Sequence, residues 1–136
     1  MINASGCGVT VKDYGVLLQH DSLYAEKAAR ISSLAKDVAE VLAAEDLSAI
    51  KVNPCRIAFH SPCTLQHGQR ISGLVEKLLV QFGFTLTTVP DAHICCGSAG
   101  TYSILQPELA DKLRVAKIQA LRTEKPELIA TANIGC

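Results

Sequence analysis

Apolar side chains recur along three stretches of the chain at spacings that place them on one face of a helix. The first stretch follows Asp21 and Ser22, either of which can cap a helix, and its apolar positions are Tyr24, Ala28, Ile31, Ala35, Val38 and Leu42. The second stops at Gly83, a residue type that commonly ends helices, and contains Ile71, Leu74, Val75, Leu78, Leu79 and Phe82. The third begins at Pro107, a favoured first helical residue, and contains Leu109, Leu113, Ala116 and Ala120. The pattern predicts three amphipathic helices.

Short apolar runs lie between these helices and predict β-strands. They span 56–60, 84–89 and 128–131, with 1–4 as a weaker candidate. Strands that alternate with helices are typical of βαβ units and a parallel sheet. We therefore expect a small three-layer α/β domain in which a mainly parallel sheet is flanked by helices.

Composition narrows the class of protein. The chain has 136 residues and is 49% hydrophobic, which is enough to form a core without disulfides. Thirteen basic and thirteen acidic residues cancel, and no basic cluster appears, so nucleic acid is not expected as a partner. The N-terminus lacks the blocks of a signal peptide, and no apolar run is long enough to span a membrane. We expect a soluble, cytoplasmic protein.

Cysteines provide the candidate chemistry. The chain has six of them, and a cytoplasmic location favours metal binding or redox chemistry over disulfides. Four of the six, Cys63, Cys95, Cys96 and Cys136, each follow a predicted strand. The carboxyl ends of parallel strands share one edge of a sheet, so we expect these thiols to converge there. Soft thiolates select zinc, copper(I) or iron-sulfur clusters.

Other interpretations of these residues stay open at this point. Six cysteines also suit a secreted domain with three disulfides, and free cysteine packs well in a hydrophobic core. Cys55 lies outside the motif and is assigned to the core. Of the histidines that flank the thiols, His67 is added to the candidate ligands ahead of His60 and His93.

The residues around the four cysteines resemble a known family. The segments concerned are 60–69 (HSPCTLQHGQ), 95–102 (CCGSAGTY) and 131–136 (TANIGC). The order and spacing of the cysteines are similar to those in the CCG cysteine-rich domains of heterodisulfide reductase B subunits. The residues around the cysteines resemble those in the iron-sulfur subunits of bacterial glycolate oxidases. The resemblance covers essentially the whole chain, although the N-terminal ferredoxin-like cysteine runs of that family are missing from it.

The resemblance implies an electron-transfer subunit of a glycolate-oxidising complex. Flavin-containing subunits would oxidise glycolate to glyoxylate, and electrons would pass toward a quinone-linked acceptor. It implies that Cys63, Cys95, Cys96 and Cys136 bind an iron-sulfur cluster of the 4Fe-4S type. It also implies peripheral association with the inner face of the cytoplasmic membrane through the complex. Two alternatives are a heterodisulfide or thiol-disulfide reductase subunit and a zinc-organised interaction module.

The resemblance further implies how the chain is organised. Residues 1–136 form a single CCG-type domain, in which 1–20 end a first repeat and 55–136 form a second repeat that lacks its C-terminal end. The sequence around Cys7 (ASGC) echoes that around Cys136 (NIGC), so Cys7 is a further ligand candidate that belongs to the first repeat. We therefore expect Cys7 to lie apart from the other four thiols. We also expect the chain alone to be inactive on glycolate, and to hold no cluster, or zinc in its place, after handling in air.

Overall fold

The computed structural model describes residues 1–136 and contains seven α-helices, one π-helical turn and three β-strands. In chain order they are α1 (Ser5–Lys12), α2 (Tyr14–Leu17), α3 (Ala25–Leu34), α4 (Val38–Leu42), β1 (Arg56–His60), the π-helical turn (Thr64–Gly68), α5 (Leu74–Gln81), β2 (Thr85–Leu86), α6 (Tyr102–Leu105), α7 (Pro107–Arg122) and β3 (Leu128–Thr131). Strands β1 and β3 and the start of α7 lie where the sequence predicts them. The periodic pattern does not predict α1, α2 or α6.

The three strands form one parallel sheet in the order β2-β1-β3. In the central strand β1, Arg56 lies opposite Thr85 of β2, and His60 lies opposite Thr131 of β3. Parallel neighbours need a crossover between them; α5 lies in the first crossover, and α6 and α7 lie in the second. The prediction of a mainly parallel sheet is confirmed.

Helices cover both faces of the central strand. Phe59 packs with the buried Leu65 and Ile71, and side chains of α5 join this cluster. Side chains alternate along a strand, so His60 points to the face opposite Phe59. That face carries α7, which contacts β1. The domain is therefore a three-layer α/β structure, as the sequence predicts.

The stretch that follows Asp21 forms two helices, α3 and α4, so the prediction of one long helix is wrong. Ala35 ends α3 in an extended conformation with ψ of 122°. The backbone of Ile2 then forms an isolated parallel bridge with Asp37, through hydrogen bonds of 2.9 and 2.8 Å. Bridge pairing and helical dihedrals exclude each other, so the helix is interrupted here. Residues 1–4 contribute this one bridge and no strand.

The second strand is shorter than the run 84–89 that predicts it. Only Thr85 and Leu86 are in strand conformation, and the N–H of Thr87 still donates to the carbonyl of Ile57 at 2.9 Å. This strand is at an edge and has a single partner, and its ladder with β1 ends at Leu86 although β1 itself continues to His60. Residues up to 89 therefore belong to the loop that leads to the cysteine pair.

Gly83 ends α5 as predicted, because it adopts a φ of +95°, which is unfavourable for other residues. The N–H of Gly83 donates to the carbonyl of Val80 at 2.9 Å, and the N–H of Phe84 donates to that of Leu79 at 3.1 Å. These two bonds form the Schellman arrangement that turns the chain out of the helix. The chain is thereby directed straight into β2.

Helix α7 buries a different face from the one that its leucine and alanine pattern predicts. Ala110, Lys117 and Leu121 are buried, whereas Leu109 is 50% exposed. The buried positions are shifted by about one residue from the predicted ones, which corresponds to a rotation of roughly 100° about the helix axis. A lysine therefore occupies an inward position that periodicity alone would give to an apolar residue.

The start of α4 supports a prediction about stability. The buried Asp37 carboxylate accepts from the N–H of Ala39 at 3.0 Å and from Nε2 of Gln69 at 3.2 Å. Replacing Asp37 by alanine removes the helix cap and one acceptor of Gln69, so the free energy of unfolding in urea should fall by about 2 kcal/mol. The control is Asp46→Ala, because the exposed Asp46 also accepts from a backbone N–H, that of Ser48. Equal shifts in the two variants would contradict a specific role for the cap.

Candidate metal centre

Four cysteines meet beyond the carboxyl ends of the three strands. Cys63 follows β1, Cys95 and Cys96 follow β2, and Cys136 follows β3. All four line one cavity of about 630 Å³. The structure thus brings together the thiols that the sequence selects, although they come from distant parts of the chain.

The thiols form two close pairs. Cys63 lies next to Cys95, and burial together with the neighbouring thiols raises the pKa of Cys63. Cys136 is exposed as a residue, but its Sγ lies within 4.8 Å of that of Cys96, and desolvation together with this thiol raises the pKa of Cys136 to about 11. Both thiols are therefore protonated at neutral pH in the free chain. Metal binding would release these protons, because the thiolate is the ligand.

His60 lies beside the thiols. It ends β1 and is 5% exposed, and one of its ring nitrogens lies with the Sγ atoms of Cys96 and Cys136 in a group whose members are all within 4.8 Å of one another. Its Nδ1 atom is 3.1 Å from the hydroxyl oxygen of Thr131 on the neighbouring strand. Burial, followed by the charge of Lys117, lowers the pKa of His60. The ring is therefore neutral at neutral pH, which is the form that binds metals.

A buried lysine holds the loop that leads to the cysteine pair. The Nζ atom of Lys117 donates to the carbonyl oxygens of Asp91 and Ala92, each at 3.1 Å. Asp91 has a φ of +50°, so these bonds support a turn that few residues adopt unaided. Burial lowers the pKa of Lys117, and the negative charges of Cys63 and Cys96 in their thiolate forms oppose this shift. Lys117 thus combines loop anchoring with a positive charge near the thiols.

Gly97 allows the cysteine pair to approach α7 closely. Its φ is +88°, and a Cβ at this position would overlap the carbonyl oxygen of Ala110 and lie 3.1 Å from the Cβ of Leu113. The N–H of Gly97 also donates to the Sγ of Cys95 at 3.3 Å. Glycine therefore satisfies both the backbone conformation and the contact with the helix.

The C-terminal loop is tied to the loop of the cysteine pair. The hydroxyl of Ser98 donates to the carbonyl oxygen of Gly135, and Nδ2 of Asn133 donates to the Sγ of Cys136 at 3.6 Å. Hydrogen bonds to sulfur tune the potential of a bound cluster and orient the ligand. These contacts position Cys136 near Cys95 and Cys96, although Cys136 lies in a loop and not in a helix or strand.

Cys7 also lines the cavity, but it is not part of the compact group of His60, Cys96 and Cys136, so its exclusion from the ligand group stays a prediction. Cys7 reaches the cavity through the packing of α1 against the π-helical turn. The hydroxyls of Ser5 and Thr64 are 2.7 Å apart, and the N–H of Ser5 donates to the carbonyl of Ala132 at 3.2 Å. These contacts anchor α1 next to the C-terminal loop, and so bring its thiol to the site.

The remaining candidates lie outside the cavity. His67 and His93 are exposed and do not line it, and Cys55 is partly buried elsewhere. His60 also does not line the cavity, but its ring nitrogen belongs to the group with Cys96 and Cys136. The structure thus places His60 next to two thiols and leaves out His67, the histidine that the sequence favours. A signal for His60 is present in the sequence, because it ends the central strand three residues before Cys63. No comparable local pattern in the sequence predicts that Lys117 lies near the thiols.

The donor set has a defined chemical preference. Thiolates and imidazole bind zinc and iron-sulfur clusters in preference to hard cations such as magnesium. The cavity offers five thiols, and a histidine nitrogen lies next to two of them, so the residues present fit either kind of centre. Fold and site together define a small α/β domain of the cysteine-rich, metal-binding class.

The chain belongs to the family of CCG cysteine-rich domains, whose family model matches residues 57–136. A protein of Escherichia coli (strain K12) named glycolate oxidase iron-sulfur subunit is 55% identical over 134 residues, which cover 98% of this chain and 33% of that protein. A Bacillus subtilis (strain 168) protein named "Probable glycolate oxidase iron-sulfur subunit" is 32% identical, with 98% and 31% covered. Lactate utilization protein A of Bacillus velezensis is 28% identical, with 100% and 59% covered.

The chain thus spans about a third of the length of the first two relatives and about three fifths of the third. None of its helices combines the length and the apolar character needed to cross a bilayer.

Proposed function

We propose that this chain is the cysteine-rich, electron-transferring part of an iron-sulfur subunit in a complex that oxidises glycolate. The convergence of four thiols from three strand ends in one cavity supports this proposal. The names of the two relatives that match nearly the whole chain point the same way. When bound there, a cluster of the 4Fe-4S type supplies a one-electron carrier.

The residues of the chain have separate tasks in this proposal. The thiolates of Cys63, Cys95, Cys96 and Cys136 are the ligands. Hydrogen bonds to the sulfurs of Cys95 and Cys136, from Gly97 and Asn133, influence the potential of the centre. The ammonium group of Lys117 offsets part of the negative charge of the thiolates, since the two interact electrostatically.

The rest of the reaction belongs to partners. Flavin-containing subunits would remove two electrons and two protons from glycolate to give glyoxylate, and the electrons would leave through this chain toward a quinone-linked acceptor. The complex would associate peripherally with the inner face of the cytoplasmic membrane. The chain alone should therefore not turn over glycolate.

The thiol chemistry bears on the alternatives. A thiol-disulfide reductase attacks through a thiolate with a depressed pKa, whereas the pKa values of Cys63 and Cys136 are raised. These two thiols are therefore poor candidates for the attacking group of a reductase. A zinc-organised module is the second candidate, because His60 with Cys96 and Cys136 provides a nitrogen and two sulfurs, a donor combination typical of zinc.

Anaerobic reconstitution with Fe²⁺ and sulfide tests the proposal. The chain should retain iron and acid-labile sulfide in matching amounts and show visible absorption that bleaches when dithionite supplies one electron per cluster. Iron should be lost on exposure to air, because adjacent thiolates at an accessible site oxidise readily. Zinc bound in the absence of sulfide would favour the second candidate, and a chain that binds neither metal would contradict both.

A further inference from the structure

One nitrogen and two sulfurs form a compact donor set within the site. The ligand atoms of His60, Cys96 and Cys136 all lie within 4.8 Å of one another. A tetrahedral ion with bonds of about 2.0–2.3 Å spaces its ligand atoms about 3.5 Å apart, so a movement of roughly 1 Å completes the coordination. Three donors of this kind can therefore hold one ion with small side-chain adjustments.

The ring of His60 is already oriented for ligation. Its Nδ1 atom pairs with the hydroxyl oxygen of Thr131 at 3.1 Å, which leaves Nε2 as the nitrogen for a metal. Metal-binding histidines commonly bond through their second ring nitrogen to a neighbouring acceptor, which sets the tautomer and the direction of the ring. Because His60 and Thr131 are paired residues of adjacent strands, this orientation is built into the sheet.

The position of His60 separates it from the other histidines of the motif. It is 5% exposed at the end of the central strand, whereas His67 and His93 are exposed on the surface. A buried polar ring needs partners for its nitrogens, and the thiols of Cys96 and Cys136 lie next to it. A metal ion held by these thiols would therefore lie within reach of the ring.

We propose that His60 is a ligand of the metal centre, binding a thiophilic divalent cation through Nε2 together with the thiolates of Cys96 and Cys136, and that Thr131 orients its ring. This arrangement describes a single ion bound without sulfide. The inference deepens the proposed function and rests on it for the native metal, iron: with a cluster bound, His60 would add a nitrogen donor to the four thiolates. A neutral imidazole contributes less negative charge than a thiolate does. Nitrogen ligation of this kind raises the reduction potential of an iron-sulfur centre.

The test uses Co²⁺ alone as the probe, so that it does not depend on cluster assembly. The chain is purified without metal, Co²⁺ is titrated by absorption, and nitrogen coupling to the bound ion is measured by pulsed EPR with and without ¹⁵N-labelled histidine. In His60→Asn the amide can still reach Thr131, but the Nε2 ligand is gone. We expect the histidine coupling to vanish and the dissociation constant for Co²⁺ to rise at least about tenfold.

His67→Asn is the matched control, since it removes an exposed histidine of the same motif that is not part of the donor group. It should keep the coupling and change the dissociation constant less than about twofold. Thr131→Val is a second variant, which removes the orienting hydroxyl and leaves the ring in place. It should weaken Co²⁺ binding less than His60→Asn does while retaining the nitrogen coupling.

The wild-type chain decides the matter if His60→Asn does not fold. Bound Co²⁺ without histidine coupling in the wild type, no binding of Co²⁺ at all, or coupling retained in a folded His60→Asn variant would each overturn the inference. Histidine coupling to Co²⁺ in a chain that fails to assemble iron and sulfide would uphold the inference and contradict the proposed function. Assembly of iron and sulfide without histidine coupling to Co²⁺ would uphold the proposed function and contradict the inference.

Discussion

Replacing Cys95 or Cys96 by serine should abolish iron retention by the reconstituted chain. A serine hydroxyl is a hard donor that stays protonated at neutral pH, so it does not substitute for a soft thiolate. Each cysteine of the pair contacts another thiol, Cys95 with Cys63 and Cys96 with Cys136. Loss of either one therefore opens the centre. Bound iron should fall more than about tenfold, and electron uptake should be lost with it.

The control for this prediction is Cys55→Ser. Cys55 lies outside the cavity, and its replacement should leave the iron content unchanged. Circular dichroism should show the same helical content in all three variants, because the core is formed by aliphatic side chains and Phe59. Equal loss of iron at Cys55 and Cys95 would show that the site is misassigned. An unfolded Cys95 variant would show that the cysteine is structural.

Replacing Gly97 by alanine should have the largest effect on stability. The new Cβ would overlap the carbonyl of Ala110 on α7 while the backbone keeps a φ of +88°, so the free energy of unfolding should fall by about 3 kcal/mol. The loop must shift away from the helix to relieve the overlap, and it carries Cys95 and Cys96 with it. Iron retention should therefore fall as well. Urea unfolding and iron analysis of one preparation measure both effects.

Gly100→Ala provides the matched comparison within the same loop. Gly100 also has a positive φ, of +61°, but a Cβ there meets nothing within 4 Å. Only the backbone strain remains, so the loss should be about 1 kcal/mol, with iron retained. Equal destabilisation of the two variants would show that the close contact with α7 is not the reason why position 97 needs glycine.

Most of the sheet is predictable because each strand is encoded by residues that are adjacent in the sequence. Strands β1 and β3 are apolar runs bounded by polar residues, and the structure confirms their limits. Helix α5 ends where a glycine permits the left-handed conformation. The break between α3 and α4 is different, because it depends on Ile2, which pairs with Asp37 from the N-terminus of the chain. The capping pattern of Asp37 with Glu40 is the local sign of that break.

The candidate site was predictable in part for the same reason. The order of strands and the rule that parallel strands end at one edge place Cys63, Cys95, Cys96 and Cys136 together without any knowledge of packing. The inward position of Lys117 and the arrival of Cys7 at the cavity depend on tertiary contacts of α7 and α1. Such contacts join residues far apart in the sequence, and no periodic pattern encodes them.

The spread of the thiols along the chain links metal binding to folding. Their segments come together only after the crossovers through α5 and α7 have closed long loops, and contacts between distant segments form slowly because loop closure carries an entropy cost. The ligands are therefore scattered in the unfolded chain and assembled in the folded one. A metal that binds only the assembled form stabilises it by mass action, by about 2.7 kcal/mol when the free metal is a hundredfold above its dissociation constant. Occupancy of the centre thus governs how long the folded chain survives in the presence of proteases.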